Sequence, residues 1–205
     1  ENYVADAIPG AISSPRRAFS HAVATIDYAT GFPEAATGRS IAWNGTGNAA
    51  LGTNWVESRA GVLNAIESVQ TTINGAQINS TDDRGNPGVL PSGAAAAGLL
   101  ITEIMFNPRS PLAEVEYDDE DFEWVEVYNN TGVAINFTQQ PYVFDDIAGN
   151  NIATANLNSG ALAAGEVGIL FNSTLITLDD MRAMWGAGFN YLPVSNWPSL
   201  NNSSG

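Results

Sequence analysis

The chain contains no cysteine, no lysine and only one histidine in 205 residues. Without cysteine there is no disulfide framework, no thiolate metal site and no cysteine nucleophile. The lone histidine, His21, has no second imidazole for a metal site and no evident partners for a triad, so it reads as an ordinary surface or strand-end residue. All seven basic residues are arginine, set against 22 acidic ones, for a net charge of −15. Such a surface repels phosphate, and no nucleic-acid partner is expected. No apolar run approaches the roughly eighteen residues that span a bilayer. The opening ENYVADAIPG lacks the basic and apolar regions of a signal peptide. No membrane insertion is expected within this chain, and any export signal is expected outside it.

What the chain has is apolar content and turns. Hydrophobic residues make up 44% and aromatics 9%, with 20 Gly and 10 Pro, which suits a folded, turn-rich, all-β protein large enough to bury a core. The strongest strand signals lie between Leu99 and Asn130. Leu100, Thr102, Ile104 and Phe106 alternate with Ile101, Glu103 and Met105. Further on, Phe122, Trp124, Glu126 and Tyr128 alternate with Glu123, Val125 and Val127. The two runs read as a hairpin-like pair, with Asn107-Pro108 ending the first because proline cannot donate to a ladder. Trp124, in line with Phe122, is expected in the core, as are Trp43 and Trp55, in preference to a carbohydrate platform that would also draw on Trp185 and Trp197.

The order ITEIMFNP, an acidic loop, then EWVEVYNNTGVAINFT resembles the opening of a lamin-tail domain, an immunoglobulin-like β-sandwich. Pro141–Asp146 and Leu162–Leu170 follow in the family's order, with Ala164 where the family has proline. Earlier segments are similar to the family's closing strands: Tyr28, Phe32-Pro33, Thr37–Ile41, Asn54–Ser58 and the turn Thr81–Gly88. The resemblance therefore implies two partial sandwich units. Residues 1–90 form a closing half, 91–98 (PSGAAAAG) a small-residue linker, and 99–205 the opening half of a second sandwich. Within the first half, Ala22–Tyr28 reads as a short strand. A helical insert is expected over 58–79, where Val62, Ile66, Val69 and Ile73 recur every three or four residues. The eight-residue linker reaches at most about 28 Å, which favours completion of the sandwich by a neighbouring copy or repeat over fold-back. Self-assembly is the expected partnership.

Chemistry-bearing residues are few. Seven carboxylates crowd Glu114–Glu123, and Glu116, Asp118, Asp119, Glu120 and Asp121 are the candidate oxygen ligands for calcium, although the spacing is not that of an EF-hand. The competing reading is a solvated acidic loop. Asp145-Asp146 and Asp179-Asp180 could add ligands. Glu103, Glu123 and Glu126 are the only candidates for paired-carboxylate acid–base work, and no Gly-x-Ser-x-Gly elbow or phosphate loop accompanies them. No enzyme activity is expected. Of seven Asn-x-Ser/Thr sequons, Asn44, Asn129 and Asn172 are the expected acceptors if the chain meets a glycosylation machinery. The resemblance implies a non-catalytic extracellular or cell-surface module, structural or adhesive, within a larger and repetitive or filament-forming protein. The alternative is a binding or targeting module on a secreted enzyme. A nuclear lamin is disfavoured, since no heptad rod, basic localisation run or terminal cysteine motif is present.

Overall fold

A computed structural model of the chain describes residues 31–49, 51–69, 72–73, 76–77, 83–89, 98–109, 119–145, 152, 154–174, 176–198 and 200. His21, the strand expected at 22–28 and most of the linker lie outside these residues. In chain order the strands are β1 (Ile41–Trp43), β2 (Trp55–Glu57), β3 (Ile66–Glu67), β4 (Thr72–Ile73), β5 (Ala76–Gln77), β6 (Arg84–Gly85), β7 (Leu99–Met105), β8 (Trp124–Asn129), β9 (Ile135–Asn136), β10 (Ala161–Leu162), β11 (Val167–Asn172) and β12 (Asn190–Val194). Among the described residues one α-helix, α1 (Leu178–Trp185), joins the last two. The protein is mostly β.

Six strands form one sheet in the order β12-β11-β8-β7-β1-β2. Its centre is the pair recognised from the alternation: β7 runs antiparallel to β8 from Leu99↔Asn129 to Met105↔Trp124. β-Branched and aromatic residues fill four of the six positions of β8 and three of the seven of β7, as a half-buried pleated surface favours. The alternation is broken once. The register shifts between Ile101 and Glu103, a β-bulge that spends Thr102 as an extra residue. Ile101 therefore packs with Ile104 and Phe106, whereas strict period two puts it with Glu103 and Met105. A one-residue slip exchanges faces, and the bulge confines that exchange to one end of the strand.

Two further expectations are corrected. Among the described residues of 58–79 there is no helix: Leu63 and Asn64 take φ of 48° and 57°, left-handed values that end any helical run. Ile66 and Val69 are 40% and 60% exposed, so their spacing marks no buried face. Residues 41–57, expected to be completed by a neighbouring copy, instead join the same sheet as residues 99–105 of their own chain. β1 pairs with β7 through Ile41↔Ile104 and Ala42↔Glu103, and β2 pairs with β1 outside it. The limited reach of the linker does not prevent this. Gly88 bonds to Glu126, while Leu99 pairs with Asn129 three residues further along β8, a separation of about 10 Å.

Each face of the sheet carries its own core. On one, Ile41, Trp43, Trp55, Ile104, Val125, Val127 and Leu170 pack against Ile135, Phe137, Tyr142, Leu157 and Leu162, contributed by the β9–β10 ladder and the segment between its strands. On the other, Met105, Trp124, Ile169, Phe171 and Tyr191 meet Met181, Met184 and Trp185 of α1. The helix is started by a capping box in which Thr177 and Asp180 satisfy each other's backbone N–H groups. Trp43, Trp55 and Trp124 are 2%, 3% and 1% exposed, which makes all three core residues. Trp124 meets Trp185 edge to face at 5.4 Å. Replacing Trp124 with alanine should cost about 3–5 kcal/mol in urea unfolding. Unchanged stability would remove it from the core.

Candidate functional site

Glu103, Glu123 and Glu126 are 1%, 0% and 1% exposed. A carboxylate loses its hydration in such a place, and donors must replace the lost water. Glu103, on β7, accepts hydrogen bonds from the Ser40 hydroxyl, from the Asn86 backbone N–H at 2.8 Å and from the Ser58 hydroxyl at 3.4 Å. With its amide turned so that Nδ2 faces the carboxyl, Asn86 also donates to both Glu103 oxygens at 2.8 Å. The Ser40 and Ser58 hydroxyls lie 2.7 Å apart. Glu126, the cross-strand partner of Glu103, accepts from the Thr102 hydroxyl at 2.6 Å and from the Gly88 N–H. Glu123 accepts from the Trp197 indole at 2.8 Å and the Leu200 N–H at 3.0 Å.

The donors come from distant parts of the chain. Ser40 and Ser58 flank β1 and β2, Asn86 and Gly88 follow β6, and Trp197 and Leu200 follow β12. Each glutamate thus ties a remote segment to the central pair. Gly85 shows how closely one segment lies: a Cβ there would fall 2.9 Å from the Trp124 ring and 3.0 Å from Glu103 Oε1. Burial, and then the charge of Glu126, pushes the Glu103 carboxyl well above its ordinary range, against the hydrogen bonds from Ser40, Asn86 and Ser58. Burial lifts Glu126 from 4.5 to about 7, opposed by Thr102 and Gly88. Both groups are enclosed by the segments they hold. Their geometry suits tethering, and a soluble substrate would have to displace those segments to reach them.

The remaining candidates are scattered. Glu114, Glu116 and Asp118 lie outside the described residues, whereas Asp119, Glu120 and Asp121 begin a 3-10 turn ending at Phe122. Asp121 accepts a hydrogen bond from Asn172 at 3.3 Å. Among the described residues no three acidic or histidine side chains gather as a metal site. Asp146 is likewise outside them, and Asp179 and Asp180 sit in the first turn of α1. The four sequons among the described residues are turn chemistry. The side-chain oxygens of Asn44, Asn129, Asn136 and Asn172 each accept the N–H two residues on, the Asx-turn that asparagine favours. Asn129 is fully buried and donates from Nδ2 to the carbonyls of Val133, Leu162 and Ala163; Asn172 is 7% exposed. Neither can carry a glycan in this fold. No family model, curated protein or solved structure matches the chain.

The sequence isolated the three glutamates but none of their donors. A carboxylate on an otherwise apolar strand signals that donors must exist without naming them. The raised carboxyls have a consequence for stability. Below the unfolded-state value both states are protonated; as pH rises through 4.5 toward 7 the unfolded chain ionises while folded Glu126 holds its proton. Stability should therefore fall across that window, by up to about 3 kcal/mol from this one group. Denaturant titrations at pH 5 and pH 8 check it, and Glu126→Gln should flatten the difference. A wild-type stability that rises over the same interval would contradict the assignment.

Proposed function

We infer that the chain is a non-catalytic extracellular module, structural or adhesive, built on an immunoglobulin-like sandwich of the lamin-tail type and belonging to a larger surface protein. The observation that carries this reading is the placement of the resembling segments. ITEIM and EWVEVYN supply the central strands β7 and β8. The segments similar to closing strands, around β1, β2 and Asn86–Gly88, dock beside them. On this reading the parts similar to opening and closing strands stand in exchanged chain order, as they would in a permuted domain. Composition supports the same reading, since a lysine-free chain of charge −15 resists nonspecific association with other acidic surfaces.

Assembly with neighbouring copies remains part of the proposal, but an uncovered β7 no longer motivates it. The strands available for it are β2 and β12, the outer members of the sheet. Pro193 in β12 reduces that edge's capacity to pair, which leaves β2 as the better candidate. Treating intact producing cells with an external protease tests the location directly. The chain should be degraded before lysis; complete protection until the cells are broken would contradict a surface role.

A further inference from the structure

Among the described residues a concave feature adjoins the tethering network at Gly88. On the α1 side of the sheet, a groove of about 340 Å³ is lined by Glu166, Val167, Ile169, Phe189 and Asn190, with the glycine backbones at 88, 165 and 188 completing its rim. It exists because the two coverings of this face, α1 with the turn after it and the segment after β6, leave a gap over the start of β11. Glycine keeps the gap open. Phe189 lies so close over Gly88, whose φ is 78°, that a Cβ there would sit 2.5 Å from the ring.

The walls have a definite chemistry. Val167 and Ile169 supply an apolar floor and Phe189 a half-buried ring. Glu166 supplies the charge, and it is held in place: one oxygen accepts the Ala163 N–H at 2.6 Å and the other the Asn190 amide at 2.9 Å. Asn190 is fixed in turn by donating to the Ala161 carbonyl at 2.9 Å. Glu126 stands beside the groove, bonded to the rim residue Gly88 and paired across the strands with the floor residue Ile169. A positioned carboxylate, an aromatic ring and an apolar floor in an acidic protein together favour a flat, delocalised cation. A guanidinium can stack on the ring while donating to a carboxylate, whereas an ammonium is more strongly hydrated and forms no such fork. The volume is at the lower end for small-molecule sites and suits a single side chain.

We propose that this groove, framed by Glu166, Phe189 and Asn190, receives an arginine side chain presented by a basic partner protein. The site does not depend on the surface-module reading. The test uses the full chain and N-acetyl-arginine methylamide as the probe, with the lysine and citrulline analogues as comparison arms, followed by amide NMR in moderate salt. Saturable shifts confined to the amides of Gly88, Glu166, Gly188 and Phe189 are expected with the arginine probe at millimolar concentration. The lysine analogue should bind several-fold more weakly and the uncharged citrulline analogue should not saturate. Glu166→Gln should weaken arginine binding at least tenfold, and Phe189→Leu, which leaves the carboxylate in place, should weaken it several-fold. An unchanged far-field spectrum in each variant establishes that the fold is intact. Equal binding of lysine, binding of citrulline, or shifts spread over the acidic surface and abolished by salt would each overturn the proposal.

Discussion

A carboxyl group placed inside a protein must find donors, and in this chain three buried glutamates, two on the central strands and Glu123 just before β8, find them in segments far away in sequence. Ser40, Ser58 and Asn86 reach Glu103, Gly88 reaches Glu126, and Trp197 with Leu200 reaches Glu123. Removing any glutamate while leaving its donors would strand buried N–H or hydroxyl groups, which is costlier than the net worth of the bonds themselves. The constraint is therefore reciprocal. The strands need the segments to tolerate their buried carboxyl groups, and the segments need the strands to be held.

This dependence explains how short elements are held in one fold. β1 and β2 have three residues each, β3 and β6 only two, and strands of that length bury little apolar area by themselves. Their attachment comes from Trp43 and Trp55 in the core and from the acceptors on β7 and β8. The groove beside Gly88 belongs to the same design: the segment that ties to Glu126 also forms a wall of the gap beside α1. Tethering and recognition would then meet at one loop.

The central pair was legible because Leu99–Met105 and Trp124–Asn129 alternate strongly enough to mark strands without further information. The bulge at Thr102 was not, since one inserted residue leaves an apolar alternation looking continuous while exchanging its faces. The apolar spacing from Val62 to Ile73 imitated a helix because spacing carries no knowledge of the positive φ at Leu63 and Asn64. The true helix had an overlooked local signature in Thr177-Leu178-Asp179-Asp180, the spacing of a capping box before Met181 and Met184. β12 was hidden by Pro193, which a sheet tolerates only at its rim. Of the site, the acceptors were visible as isolated charges on apolar strands. The donors were invisible because serine, asparagine and glycine are common in every loop, and only the fold selects Ser40, Ser58, Asn86 and Gly88 among them.

Hydrogen exchange at the Asn86 and Gly88 amides tests this dependence most directly, because both N–H groups point at a buried glutamate from a loop that would otherwise be solvated. Tethering as described requires these two amides to exchange only on global unfolding, with protection matching that of β7 and β8 and lost selectively at Gly88 in Glu126→Ala and at Asn86 in Glu103→Ala. Exchange near free-peptide rates in the wild-type chain, with β7 and β8 still protected, would show that the segment after β6 is not held by the glutamates and would contradict the central claim.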